Sequence, residues 1–386
     1  MKKQLTRIAS WMLLATMGQA GAFAQNIRID MNQTYPEKTI SLQKVADVKY
    51  IPLETTDEML FNGIVTNLSA EGIAGFNKKE GDILVFDGTG KAIASFNHTG
   101  QGPNEYNKIY HLDVDWKQKE VYVQDNFRQK IRIYGLDGRH LRTIDLQETM
   151  QEGDLYSFSD TRLIYYAQPK SKPVTAYEPV TLLSKKDASK VTLPFTKTDD
   201  NLVKATGGPF GDMKMSAKNV NLLCKKGDEV YVNEVTADVI YRVESNHALT
   251  PVVERTPSYQ DASGQDFFLM LTGANARYYF FKRQQALLEF QGNAATDTKS
   301  TYVAYDRKEK QLLNPTFTNE DYPSQDIPMS KLLQCAGSAN RCYLQLEAFK
   351  LKEALAEGKL KGTLKSIAEK LDEEDNPVLM VVEFKK

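Results

Sequence analysis

The chain has 386 residues, of which 41% are hydrophobic and 10% aromatic, which is enough to bury a sizeable core. Its 49 Lys and Arg residues balance 50 Asp and Glu residues, so the net charge is −1. Because there is no basic excess, the composition argues against binding to nucleic acid or anionic lipid and favours a neutral or mixed-charge partner.

Residues 1–24 have the three parts of a secretory signal peptide. A basic start precedes an apolar core at residues 8–17, and residues 22–24 form a small-x-small cleavage site. The apolar run is short for a membrane span, and an uncleaved signal anchor is the alternative. The first cysteine is Cys224, so we do not expect a lipoprotein. We expect residues 25–386 to be exported to the periplasm or outside the cell, with no transmembrane segment.

Short apolar strands followed by polar turns recur along the mature chain. Aligned on the residue that ends the strand before each turn, five copies end at Phe86, Tyr134, Leu183, Val243 and Tyr305. The successive spacings of 48, 49, 60 and 62 residues suit propeller blades, with inserts in the two wider gaps. Five copies and the terminal strands predict an all-β fold, a six-bladed β-propeller, as one domain over residues 25–386.

A second strand-like run accompanies four of these turns. The four runs are KEVYVQD (119–125), TRLIYYA (161–167), DEVYVNE (228–234) and ALLEFQG (286–292). Their β-branched and aromatic residues suit the surface between two blades. We assign residues 259–274 to an insert and residues 278–281 to the blade core.

The two ends of the mature chain supply the strands that close the ring. VKYIPL (48–53) and VLMVVEF (378–384) are predicted to complete one blade together. Residues 26–37 read as a polar lead-in. A short helical insert is predicted at about 350–372, where Leu360, Leu364, Ile367 and Leu371 share one helix face.

Three segments carry a family resemblance. YIPLETTDE (50–58), VFDGTGK (85–91) and GQGPNEY (100–106) resemble the six-bladed β-propeller family that is common among exported Bacteroidetes proteins. The family's loop is usually Gly-x-Gly-Pro-Gly-Glu-Tyr, and Asn104 stands here in place of its third glycine. Asn tolerates positive φ better than most residues, so the loop geometry can be kept. The resemblance implies a fold and leaves function open, because propellers carry many chemistries.

The GQGPNEY loop and the histidine that flanks it provide the candidate ligand-binding residues. They are His98, Gln101, Asn104, Glu105 and Tyr106. Gly100 and Gly102 would let the backbone approach a ligand closely. The alternative is a strained crossover between blades, in which Glu105 accepts hydrogen bonds from backbone N–H groups.

Two further pairs are candidates for a metal site and a disulfide. Asp113 and Asp115 lie on one face of a strand and could offer oxygen ligands to Ca²⁺, although a solvated or turn-capping pair is the alternative. No other cofactor is predicted. Cys335 and Cys342 are seven residues apart and could pair in an oxidising compartment.

Three functions fit these features. The first is a monomeric, non-catalytic exported protein that binds a small molecule, a glycan, a peptide or an envelope protein. The second is a metal-dependent enzyme, lactonase- or lyase-like by fold analogy, with its site in the central channel. That site would need carboxylate, amide or imidazole groups from at least three blades at the axis. The third is an assembly role in envelope polysaccharide or protein uptake.

Overall fold

The computed structural model describes residues 26–386 except 126, 147–148, 169–176, 197–201, 207–212, 217–222, 227–228, 260, 262–266, 292–293, 296–298 and 333–340. Short β-branched and aromatic runs separated by turns fold as antiparallel sheets, because each run leaves backbone groups unpaired until the next run returns beside it. In the described residues, six such sheets form a ring, which confirms the predicted six-bladed β-propeller.

The N-terminal segment contributes three strands and one helical turn. They are β1 (Ile27–Asp30), β2 (Glu37–Ser41), α1 (Leu42–Val45) and β3 (Ala46–Pro52).

Blades one, two and three are four-stranded, with the strands in chain order from the innermost to the outermost. Blade one has β4 (Ile64–Leu68), β5 (Gly72–Phe76), β6 (Ile83–Asp87) and β7 (Ala92–Phe96). Blade two has β8 (His111–Asp115), β9 (Glu120–Asp125), β10 (Lys130–Gly135) and β11 (His140–Asp145). Blade three has β12 (Thr149–Ser157), β13 (Arg162–Gln168), β14 (Val180–Ser184) and β15 (Lys190–Thr192).

The second half of the ring is less regular. Strands β16 (Leu202–Thr206) and β17 (Met213–Ser216) precede blade four, which has β18 (Leu223–Lys226), β19 (Glu229–Val232), β20 (Val239–Val243) and β21 (Leu249–Thr256). Blade five has β22 (Phe267–Ala274), β23 (Tyr278–Gln285), β26 (Ser300–Asp306) and β27 (Gln311–Asn319), with β24 (Leu287–Gln291) and β25 (Ala294–Ala295) inserted. Next come β28 (Tyr322–Pro328), a 3-10 turn (Met329–Lys331), β29 (Arg341–Leu346), α2 (Ala348–Ala356), α3 (Gly362–Ala368) and β30 (Val378–Phe384).

The hydrophobic core is divided among the junctions between neighbouring blades. Each junction has its own buried cluster, to which both blades contribute. The pairs that represent them, from junction one–two to junction six–one, are Phe76 and Leu112, Ile133 and Tyr165, Tyr166 and Val230, Tyr231 and Phe281, Phe280 and Phe384, and Tyr343 and Ile73. Burial on both faces of each sheet explains why a blade requires its neighbours.

The chain ends close the ring as predicted. Strand β3 pairs antiparallel with β30 from Ala46 opposite Phe384 to Pro52 opposite Val378, and β29 lies on the other side of β30. The Tyr343 hydroxyl on β29 donates to the Val65 carbonyl of blade one at 2.6 Å, so blade six contacts blade one directly.

The N-terminal segment does more than close blade six. Strand β1 adds in parallel to β21 at the outer edge of blade four, and β2 adds in parallel to β27 of blade five. The predicted polar lead-in at residues 26–37 is therefore wrong: Ile27 and Ile29 are buried. Two alternating apolar residues are too short a pattern to distinguish an edge strand from a linker.

The predicted second strand of blade five is also wrong. ALLEFQG contains β24, which pairs with β16 in a separate four-stranded sheet built from the two inserts, of order β17-β16-β24-β25. The true second strand is β23, whose Phe280 and Phe281 are fully buried, and the stretch assigned to an insert contains β22, the innermost strand. ALLEFQG and the run of β23 both begin with consecutive apolar residues, so the local pattern could not separate them.

The helical insert is confirmed between β29 and β30. Leu360, Leu364 and Leu371 are buried against Val378, and Ile367 is partly buried with them. Across the described residues, none of the helices is long and apolar enough to cross a bilayer.

Candidate functional site

All innermost strands run in the same direction, because each blade begins at the axis and each crossover returns the chain there. We call the end of the ring where these strands begin the crossover face. On blade two it carries the connection between β7 and β8 and the turn between β9 and β10.

The GQGPNEY loop is this crossover, and its own groups hold its shape. The Gly102 N–H donates to Glu105 Oε2 at 2.6 Å, and the Gly100 N–H donates to the Tyr106 carbonyl at 3.0 Å. A Cβ on Gly100 would lie 2.0 Å from Glu105 Oε2, so this position requires glycine while the carboxylate keeps its place. The Glu105 carboxylate thus caps the loop that contains it.

Arg128, from the β9–β10 turn, holds the loop from outside. Its Nη1 donates to the Gly102 carbonyl at 3.0 Å, and its Nη2 donates to the Gly100 carbonyl at 3.2 Å and to Gln101 Oε1 at 2.7 Å. A planar guanidinium can serve several carbonyl acceptors at once, which suits a loop with few ladder bonds.

The aromatic residues of the loop are packed beneath it. Tyr106 is fully buried and donates to the Gly81 carbonyl at 2.8 Å, and burial raises its pKa to about 12. His98 stacks on Tyr134 with ring centroids 5.0 Å apart, and its Nε2 lies 2.7 Å from the Gly138 carbonyl oxygen. His98 and Glu105 therefore bond to different partners. Gln101 and Asn104 are exposed on the crossover face, and ligand binding by these five residues stays a prediction.

A charged group built from four blades lies between the innermost strands. Asp113 of blade two accepts from Asn67 Nδ2 of blade one at 2.7 Å, from the Ser157 N–H of blade three at 2.6 Å and from Lys225 Nζ of blade four at 3.1 Å. Burial alone would raise the pKa of the Asp113 carboxyl, but the Lys225 ammonium and the hydrogen bonds outweigh burial and hold this pKa below its usual range.

Asp115 lies on the same strand face, as predicted, and has its own lysine. Lys185 of blade three donates to Asp115 Oδ2 at 2.6 Å and to Ser157 Oγ at 2.8 Å, and the Lys185 and Asp115 side chains are only 4% and 9% exposed. Within the part of the chain that the structure describes, no three His, Cys, Asp or Glu side chains are grouped to hold a metal ion. A Ca²⁺ ion at Asp113 and Asp115 stays a prediction, and it would compete with two ammonium groups.

His111 lies two residues nearer the crossover face than Asp113. Its ring meets the Tyr156 ring edge-on at 5.0 Å, and its buried Nε2 has no hydrogen-bond partner among the described residues. Burial lowers the pKa of His111 to about 4. The charge of Asp113 raises this pKa and the charge of Lys225 lowers it, but burial has the largest effect. At neutral pH the imidazole is therefore uncharged.

This pKa predicts that the protein loses stability in mild acid. His111 titrates near 6.5 in the unfolded chain and at about 4 in the fold, so between these values the unfolded state binds the extra proton. The free energy of unfolding should fall by about 3 kcal/mol from pH 7 to pH 4 on account of this residue. Urea unfolding of wild type and of His111→Gln at pH 7 and pH 5 measures this change in the free energy of unfolding. If wild type and His111→Gln differed in stability by the same amount at pH 7 and at pH 5, the lowered pKa of His111 would be contradicted.

Exposed apolar side chains lie on the crossover face of blades one and two. Phe127 is 66% exposed and contacts the Tyr110 ring at 5.9 Å, and Lys108 Nζ lies 5.2 Å from the centre of that ring. Leu60, which is 56% exposed, lies in the crossover that enters blade one, and Ile64, which is 36% exposed, is the first residue of β4. An aromatic and aliphatic surface with a lysine beside it suits contact with a ligand or a partner.

Sequence reasoning missed Asn67, Lys185, Lys225 and Arg128. Asn67 and Lys225 lie within innermost strands, as Asp113 does, whereas Lys185 and Arg128 lie in turns, and an alignment of the innermost strands would have brought the first three together. Cys342 is buried on β29. Cys335 lies outside the described residues, as do the signal peptide and its cleavage site, so the disulfide and the export signal stay predictions.

A family model described as "Domain of unknown function (DUF4934)" matches residues 26–383. A Bacteroides fragilis protein that is named as exported has 15% identity and a TM-score of 0.61, covering 93% of this chain and 99% of its own. A DUF4221 family member from Bacteroides vulgatus has 8% identity and a TM-score of 0.50, covering 89% and 98%. At these identities the likeness concerns the fold alone. No curated protein matches the chain.

Proposed function

Because the chain belongs to the DUF4934 family, a domain of unknown function, we infer its role from its own side chains, and we propose that it is an exported, non-catalytic binding protein. The observation that carries this proposal is the pairing of the axial carboxylates with lysines. Asp113 and Asp115 each contact an ammonium group, and the four side chains of these two pairs are at most 12% exposed. A divalent ion would have to displace those ammonium groups, which costs more in a buried site than in water.

His111 also favours binding over catalysis. A base with a pKa of about 4 provides little driving force for proton abstraction at neutral pH. Because His111 Nε2 has no partner among the described residues, it can form one hydrogen bond with a ligand that enters from the crossover face. The exposed Phe127 and Leu60 would supply the apolar contact, and a peptide or a glycan fits a surface of this kind.

Export is supported by the signal-like residues 1–24 and by the name of the similar Bacteroides fragilis protein. We propose that the mature protein acts in the periplasm or outside the cell, as a monomer. The alternative function is a metal-dependent enzyme of the lactonase or lyase type. Asp113 would be its first metal ligand, because side chains of several blades converge there.

Two measurements on purified residues 25–386 test the proposal. Peptide and glycan arrays should give a ligand whose affinity falls roughly tenfold in Phe127→Ala, because an aromatic anchor is removed. Phe349→Ala, which changes an exposed ring on α2, should leave the affinity unchanged.

Metal analysis of the same preparation decides between the two functions. We expect a substoichiometric amount of divalent ion. A stoichiometric ion that is lost in Asp113→Asn would overturn the binding proposal in favour of the enzyme.

A further inference from the structure

This chain covers the outer edges of its blades unequally. The N-terminal strands add in parallel to the outermost strands of blades four and five, and β3 completes blade six. On blades one to three, the outermost strands β7, β11 and β15 have no strand beyond them among the described residues. An uncovered edge presents backbone N–H and C=O groups that another strand can pair with.

Each uncovered edge also exposes an aliphatic side chain. Ile93 on β7 is 50% exposed, Leu141 on β11 is 38% exposed, and Val191 on β15 is 36% exposed. These are three of the seven exposed large apolar side chains among the described residues, and each is the second residue of its strand.

Blade four has an outer edge of the same kind, to which the parallel strand β1 is added. Ile93 and Leu141 are extra residues in β-bulges, and Val252 of β21 is the extra residue in the corresponding bulge of blade four. Val252 packs against the cluster that contains Ile27 and Ile29 of the added strand β1. Bulges often protect edges from pairing, but here a parallel strand docks immediately after one.

Blade one offers the most suitable of the three free edges. Strand β7 reads Ala-Ile-Ala-Ser-Phe and has no charged residue, whereas Arg142 and Asp145 on β11 form ion pairs with Glu120 and Lys130. Strand β15 has only three residues. An uncharged edge of five residues is the kind that accepts an added strand.

We propose that the outer edge of blade one is a docking site for an extended segment of another polypeptide, which adds as a parallel strand along β7. By analogy with β1, the segment carries aliphatic residues at alternate positions, and one of them covers Ile93. Strand β7 itself lacks charge, but Glu54 Oε2 accepts from the Ala92 N–H at 2.8 Å, so the segment pairs with the residues that follow Ile93. This site is separate from the crossover face and does not depend on ligand binding there.

A fluorescent peptide with the sequence of residues 26–34 serves as the probe, because this pattern docks at blade four. It should bind the mature protein and slow hydrogen exchange of the amides at residues 92–97. Ile93→Lys should weaken binding roughly tenfold, since burial of one aliphatic side chain is worth at least that factor. Phe349→Lys, at a position 45% exposed on α2, is the matched control and should bind normally.

A peptide with serine in place of both isoleucines should not bind. The proposal is overturned if the probe does not bind wild type, if Ile93→Lys binds as well as wild type, or if protection appears at another edge. Dimerisation of the protein that Ile93→Lys abolishes would identify a second copy as the occupant and would also overturn it. Because hydrogen exchange is measured on wild type, the test does not require the variant to fold.

Discussion

Replacing Phe280 by alanine should lower the free energy of unfolding by about 3–5 kcal/mol. Phe280 is fully buried on β23, and its ring lies 5.5 Å from Tyr278, 6.2 Å from Phe317 and 6.0 Å from Phe384. Phe384 belongs to the closing strand of blade six, so the substitution opens a cavity at the junction that joins the two ends of the chain. Chemical denaturation of residues 25–386 measures the loss.

The control for this variant is Phe349→Ala, which removes the same ring from an exposed position on α2. Its effect should lie within about 0.5 kcal/mol of wild type. If Phe280→Ala cost no more than the control, the junction between blades five and six would not be the packed core that the structure shows.

Replacing Lys225 by methionine should cost about 3–5 kcal/mol, because it leaves the buried Asp113 carboxylate without its counter-charge. The hydrogen bonds from Asn67 and Ser157 would remain, but they do not neutralise the charge. The loss of stability in Lys225→Met should be largest above about pH 4, where the Asp113 carboxylate of the wild type is ionised in both the folded and the unfolded state. In wild type, the stability that this lowered pKa provides is lost as the pH falls through the folded value.

Lys117→Met is the matched control, because Lys117 pairs with Asp160 on the surface, where both side chains are well exposed. It should cost far less than Lys225→Met, because solvent screens an exposed ion pair. Adding Asp113→Asn to Lys225→Met should recover most of the lost stability, because neither residue of the former ion pair then carries a charge. Equal losses in Lys225→Met and Lys117→Met would show that the axial pair does not stabilise the fold.

The candidate site was only partly visible in the sequence. Gly100, Gly102 and Glu105 marked the crossover of blade two, because glycines and a charge interrupt an otherwise regular repeat. The bond from the Gly102 N–H to Glu105 is local and could be anticipated. Arg128, which holds the same loop through four acceptors, could not, because its contacts depend on how the next turn folds over the loop.

The contact between Asp113 and Lys225 was beyond prediction for a further reason. The two residues are 112 positions apart and belong to blades two and four, which are not neighbours in the ring. Their side chains meet only because the innermost strands converge at the axis. The same convergence determines that Asp113 faces a lysine, which changes the interpretation of this carboxylate from a metal ligand to an ion-pair partner.

By itself, the sequence determined the repeat, the number of blades, the closing strands and the helical insert. These features depend on alternation within a strand and on turns a few residues long, so neighbouring residues specify them. Only the tertiary structure decided that β1 and β2 lie on the outer edges of blades four and five, that β23 and not ALLEFQG enters blade five, and that lysines neutralise the axial carboxylates. The reason is that each of these pairings joins distant segments whose separation is set by the closed ring, and local patterning contains no information about that geometry.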